Sequence, residues 1–169
     1  LVDQARPARL AAAQEAEGAK AGREADGEED QADDRHEAED ADRRVEAVHA
    51  QAGDARPPRL GDQVLDVGSG YGEPGLSAAP AVGPDGHVTC LDISGDMLAF
   101  AETRARAAGL SNVTFVEADI EALELVPASL DVVLSRATIM YISNPLETLR
   151  RLHTALRPGG RLAVAVWAT

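Results

Sequence analysis

The stretch VLDVGSGYGEPGL, residues 64–76, constrains the fold more than any other part of the chain. An apolar run stops at a carboxylate, Asp66, and glycines follow at 68, 70, 72 and 75. Glycine permits a tight turn and lets a ligand approach the backbone. An apolar strand running into such a loop and then a helix predicts an α/β domain. Ligands of an open parallel sheet bind beyond the carboxyl ends of its strands. The helix expected from about Pro74 would also turn free N–H groups and a positive dipole end toward the loop.

The rest of the second half repeats the alternation. HVTCLDI (87–93), NVTFVEAD (112–119), LDVVLS (130–135) and RLAVAVW (161–167) read as strands two to five after QVLDV (63–67). Residues 94–109 read as a helix, with Ser94 as cap and Gly109 as stop. Residues 144–160 read as another, entered through Asn144, Pro145 and a capping box completed by Glu147, and left through Pro158-Gly159-Gly160. Leu146, Leu149, Leu152 and Leu156 are expected on its apolar face, with His153 near that face as a partly buried histidine. Pro80 should end the helix after the glycine loop early. Near-continuous apolar strands alternating with helices predict a Rossmann-like, doubly wound parallel sheet.

The glycines admit two cofactor readings. Gly70-x-Gly72-x-x-Gly75 is literally the dinucleotide pattern, which would make the chain a nicotinamide-dependent oxidoreductase. The frame D-V-G-S-G-Y-G fits better. A carboxylate at Asp66 repels a pyrophosphate but suits an ammonium group, and Gly75 then serves close helix packing. Asp92, at the end of the second strand, can accept ribose hydroxyls. Asp119, after the third, can accept from an exocyclic amine, while Ile93 and Ile120 can sandwich an adenine. Amino acid, ribose and adenine together describe S-adenosyl-L-methionine.

From about Pro58 to Trp167 the sequence resembles a class I S-adenosylmethionine-dependent methyltransferase. It is most similar to the bacterial small-molecule branch that includes the ubiquinone/menaquinone C-methyltransferases. VLDVGSGYG matches that family's first motif, VTCLDISGDML its second and FVEADIEAL its third. LDVVLSRATIMYISNPLETLRRLHTALRPGGRLAVAVW matches the fourth strand, the crossover helix and the entry to strand five. The resemblance implies cofactor contacts from Asp66, Gly68, Ser69, Gly70, Gly72, Asp92, Ile93, Met97, Asp119 and Ile120. Core packing is the alternative role for Met97. Ser135 and Arg136 end strand four beside the expected methyl position, and Tyr141 is a candidate to close the site. Ser69 stands where the family often has cysteine.

The family sheet has seven strands in the order 3-2-1-4-5-7-6, and this chain matches the first five. The expectation is an incomplete sheet, truncated after strand five, that keeps the cofactor half and lacks most of the acceptor half. An incomplete, inactive cofactor-binding fragment is therefore the alternative to an active enzyme acting on a small-molecule methyl acceptor. No residue stands out as a general base.

Residues 1–57 have different physics. Residues 1–59 hold 9 basic and 16 acidic residues and no aromatic one. Such a segment buries too little apolar surface to offset the entropy of ordering, so it reads as disordered or loosely helical, with residues 28–51 the most helix-compatible part. The whole chain carries a formal charge of −13, which argues against a nucleic-acid partner. A single cysteine, Cys90, and no apolar run long enough for a membrane span fit a cytoplasmic protein. His36, His49 and His87 have no metal-ligand spacing, so no metal is expected.

Overall fold

Why each apolar run becomes a strand shows in the burial. A computed structural model of the chain describes residues 57–167; residues 1–56 of the acidic segment, with its helix-compatible stretch, lie outside the described residues. Strand β1, Gln63–Val67, has Val64, Leu65 and Val67 each 1% exposed. A strand enclosed on both faces must be apolar throughout. Around it lie β2 (His87–Asp92), β3 (Val113–Glu117), β4 (Leu130–Arg136) and β5 (Leu156–Ala165). They form one parallel sheet in the order β3-β2-β1-β4-β5. The order reverses direction at β1, so the exits of β1 and β4 flank a switch point, where a crevice opens beyond the sheet.

Helix α1 (Gly75–Val82) packs on β1 and β2, α2 (Gly95–Ala107) on β2 and β3, and α3 (Pro145–Ala155) on β5. Val64, Val88, Cys90 and Val132 form one core cluster with Leu76, Ala79, Val82, Leu98 and Ala105 of α1 and α2. Side chains alternate along a strand, so Asp66 lies on the same face as Val64, under the start of α1.

Caps and stops follow local chemistry. Ser94 Oγ accepts the N–H of Met97, and Asn144 accepts that of Glu147. Gly109 takes a φ of 69°, which only glycine adopts cheaply, and ends the α2 region. Pro80 does not stop α1 at once; the helix runs on to Val82. The amide of Asn112 donates to the carbonyls of Ala79 at 2.8 Å and Gly83 at 2.9 Å, satisfying groups at that end.

The α3–β5 region departs from expectation. The helix ends at Ala155, and β5 starts at Leu156 rather than 161. Leu130 pairs with Leu156 but Val132 with Arg161, so Arg157–Gly160 bulge between two ladder contacts. Pro158-Gly159-Gly160 thus lies within the strand, and Gly159 takes the required φ of 83°. The buried face of α3 is Thr148, Leu152 and Ala155; Leu146 is 58% exposed and His153 is exposed as well. The capping box is only half formed: the N–H of Asn144 donates to Glu121, not Glu147.

Candidate functional site

The loop after β1 is built to press backbone against backbone. Gly68, Gly70 and Gly72 have φ of 69°, 51° and 106°, in the region that disfavours other residues. The N–H groups of Gly68 and Ser69 both donate to the carbonyl of Leu91, at 2.8 and 3.0 Å. That of Gly70 donates to Asp92 Oδ2 at 2.8 Å. The glycine loop therefore folds over the exit of β2. Gly75 is needed for close packing instead. A Cβ there would lie 2.7 Å from Cys90 Sγ and 2.9 Å from Asp66 Oδ2, so glycine lets α1 close on the sheet.

Asp92 accepts from Gly70 with one oxygen and from the N–H of Ser94 at 2.9 Å with the other. A carboxylate oxygen has two lone pairs, so each keeps acceptor capacity for a hydroxyl. Next along the edge, the N–H of Ala118 donates to the carbonyl of Asp92 at 2.9 Å, which brings the β3 exit alongside. Asp119 is exposed, and its Oδ1 accepts from the N–H of Glu121 at 2.8 Å. Ile93 is 74% exposed on this edge, whereas Ile120 is 6% exposed and packed inward, so the two are not equivalent walls. Met97 is half-buried, with its Cε 3.0 Å from where a Cβ on Gly70 would stand.

Asp66 is fully enclosed. Its Oδ2 accepts the N–H of Gly75 at 2.7 Å, and its Oδ1 has no partner. Burial is the main cause that pushes its pKa up to about 7, partly offset by the Gly75 hydrogen bond. Glu73 and Asp92 add to the rise, while Arg136 opposes it. This arrangement corrects the expectation of free N–H groups at the start of α1. Gly75 donates to Asp66, Leu76 to the Gly72 carbonyl, Ser77 to Glu73 and Ala78 to the Pro74 carbonyl. A pyrophosphate seated there would displace Asp66, so the dinucleotide reading is not favoured.

Ser135 is 3% exposed and its Oγ also lacks a partner; Ser69 Oγ, beside the buried Cys90 thiol, makes no full hydrogen bond. Buried polar atoms are usually paired. Orphans on Asp66 and Ser135, which end or nearly end the adjacent strands β1 and β4, suit a ligand that brings both donors and a positive charge. Arg136 is half-buried beside them. Among the described residues no cluster of metal-ligating side chains exists.

Two features escaped the sequence reading. Thr138 closes on the glycine loop: its single Oγ1 proton is shared between the carbonyls of Gly68 at 3.3 Å and Arg136 at 3.1 Å. A 3-10 turn follows, Ile139–Tyr141, leaving Tyr141 78% exposed rather than packed. Glu121 and Arg151 tie the loop after β3 to α3. Thr138 and Arg151 lie inside the stretch matched to the fourth strand and crossover helix, but their partners are far away in sequence, so no local spacing pointed to these contacts. A separate cavity of about 200 Å³, lined by Arg59, Asp62, Asp131 and Arg161 among others, sits at the opposite end of the strands. Asp62 pairs there with Arg161, and Asp131 with Arg157 of the neighbouring bulge.

Residues 59–168 match the family described as methyltransferase domain. The chain belongs to that family. Over 107 residues this methyltransferase domain is 36% identical to a ubiquinone/menaquinone biosynthesis C-methyltransferase of Ectopseudomonas mendocina, covering 63% of this chain and 42% of the relative. Over 105 residues it is 34% identical to an arsenite methyltransferase of Halobacterium salinarum, covering 62% of this chain and 27% of that protein. Among solved structures, a SAM-dependent methyltransferase from Aquifex aeolicus superposes with a TM-score of 0.62 and 28% identity, over 73% of this chain and 63% of its own. The methyltransferase domain therefore spans less than half the length of these two curated relatives. Its sheet order matches the first five strands of the expected seven-stranded fold.

Proposed function

We propose that the chain binds S-adenosyl-L-methionine along the carboxyl edge of β3, β2, β1 and β4 and takes part in methyl transfer to a small molecule. The observation that carries this reading is the row of carboxylates at the ends of three neighbouring strands, Asp66, Asp92 and Asp119, with Asp92 bonded to the glycine loop itself. When bound, the cofactor supplies a methyl group already activated on a sulfonium, so the protein's part is to position and to exclude water. Asp92 would accept from the ribose, Asp119 from the exocyclic amine, and exposed Ile93 would cover one adenine face. The unpartnered oxygen of Asp66 and the hydroxyls of Ser69 and Ser135 would serve the ammonium end. Gly68 and Gly72 keep the loop thin; Gly70 offers its backbone, and Met97 lies behind it. A cationic end beside Asp66 favours the ionised carboxylate.

A chain with charge −13 favours a small acceptor over nucleic acid, and its single cysteine, Cys90, supports a reducing, cytoplasmic setting. Among the described residues no helix is long and apolar enough to cross a membrane.

Calorimetric titration with S-adenosylhomocysteine tests the reading, with Asp92→Asn as control. Micromolar binding that weakens at least tenfold in a folded Asp92→Asn variant supports it. No binding by a wild-type chain shown to be folded by circular dichroism refutes it. Binding without transfer to the small-molecule acceptors tried would favour the alternative of an inactive cofactor-binding fragment.

A further inference from the structure

The turn after β3 is held from outside. The N–H groups of Ala122 and Leu123 both donate to the carbonyl of Asp119, at 3.0 and 2.9 Å, making one helix-like turn that does not continue. Such a turn leaves its later carbonyls without intrinsic donors. Arg151, from the middle of α3, serves three of them. Its Nη1 donates to the carbonyls of Ile120 at 3.0 Å and Glu121 at 2.7 Å, and its Nη2 to that of Leu123. Only a planar fork of donors meets three carbonyls in this way; a lysine ammonium is a single point.

The tie is reciprocal. Glu121 Oε1 accepts the N–H of Asn144 at 2.8 Å, and Oε2 that of Ser143 at 3.1 Å. Asn144 is the N-cap of α3. The two N–H groups hold the Glu121 carboxyl below its ordinary pKa, so it stays charged at neutral pH. The loop thus caps the helix, and the helix caps the loop.

We propose that Arg151 and Glu121 are positioning residues that set the adenine selectivity of the cofactor site through the Asp119–Leu123 turn. This rests on the reading that Asp119 faces the adenine. Asp119 is exposed, and among the described residues its side chain is fixed only through the N–H of Glu121. The direction of its free oxygen therefore follows the backbone of the turn, and that backbone is held by Arg151. Removing the guanidinium leaves converging carbonyls without a donor, and the turn opens. The ribose side, held by Gly70, Asp92 and Ser94, does not depend on this clamp.

The test compares two ligands on the full chain. S-Adenosylhomocysteine offers an amine at purine position six beside an acceptor N1; S-inosylhomocysteine has an oxo group at position six and a proton on N1, so the donor at position six is lost and the rest of the ligand is kept. Wild type is expected to favour the adenosyl form roughly tenfold or more, as a site built around one hydrogen bond does. In Arg151→Met the adenosyl affinity falls about tenfold while the inosyl affinity moves less than threefold, so the preference collapses, and Arg151→Lys restores part of it. A structural role alone would weaken both ligands together. A folded Arg151→Met variant that keeps the wild-type preference overturns the proposal. If that variant does not fold, Glu121→Gln carries the same expectation, and an unchanged preference there overturns it equally. A folded wild type that binds neither ligand removes the cofactor reading itself, and this inference with it.

Discussion

Gly68 and Thr138 are in such close register that a Cβ on residue 68 would stand 2.0 Å from Thr138 Oγ1. Gly109 shares the same φ of 69° but has nothing within 4 Å of its would-be Cβ. The two glycines separate backbone strain from collision. Gly109→Ala is expected to cost about 1 kcal/mol, the left-handed penalty alone. Gly68→Ala adds overpacking and is expected to cost about 3 kcal/mol or more. Urea unfolding of both variants measures the difference, and equal costs would show that Thr138 yields freely.

Asp66 makes stability depend on pH in an unusual direction. Its folded pKa of about 7 lies above its ordinary value of 3.8, so the folded chain retains a proton that the unfolded chain releases. Stability therefore falls as pH rises through that window and levels off above it. The span is at most about 4 kcal/mol. Half-buried His87, whose pKa burial lowers, contributes the opposite slope near its own titration. Asp66→Asn isolates the carboxyl: unfolding midpoints at pH 5 and pH 8 should differ less in this direction than in wild type. A cationic ligand should bind more tightly as pH rises through 7, and Asp66→Asn should lose that dependence.

Glu73 is 7% exposed and meets Arg104 at 3.1 Å, while its other oxygen accepts from Ser77 Oγ at 2.6 Å. Arg104 also donates to the carbonyl of Tyr71 at 2.7 Å, so one side chain of α2 braces the glycine loop twice. Arg104→Met leaves a buried carboxylate without its cation. Because Arg104 is partly solvated, the expected cost is about 1–3 kcal/mol rather than the larger figure for a fully buried pair. Glu73→Gln in the same background should recover part of it, as a double-mutant cycle would show.

The row Leu65, Val133, Leu162 runs from 1% and 0% exposed at the centre of the sheet to 36% at β5. Val164 and Val166 continue the apolar exposure, at 41% and 55%. Among the described residues β5 pairs only with β4. An apolar edge of this kind favours association. Gel filtration across a concentration series should show self-association, and Val164→Lys should reduce it without lowering the unfolding midpoint.

What could be foreseen divides along the range of the interactions. Strand β1 and the Ser94 and Asn144 caps were legible because each depends on residues a few positions apart: apolar runs, and short polar side chains before helices. The ordered motifs also indicated the carboxylates at three strand ends and the parallel sheet that aligns them. Local text could not show that Asp66 fills the N-terminus of α1, that Thr138 closes on Gly68, or that Glu121 replaces Glu147 at the start of α3. Nor could it show that a bulge draws Pro158-Gly159-Gly160 into β5. Each of those outcomes is a competition for a hydrogen-bonding group or a volume between segments far apart in sequence, and only the packed sheet brings the competitors together.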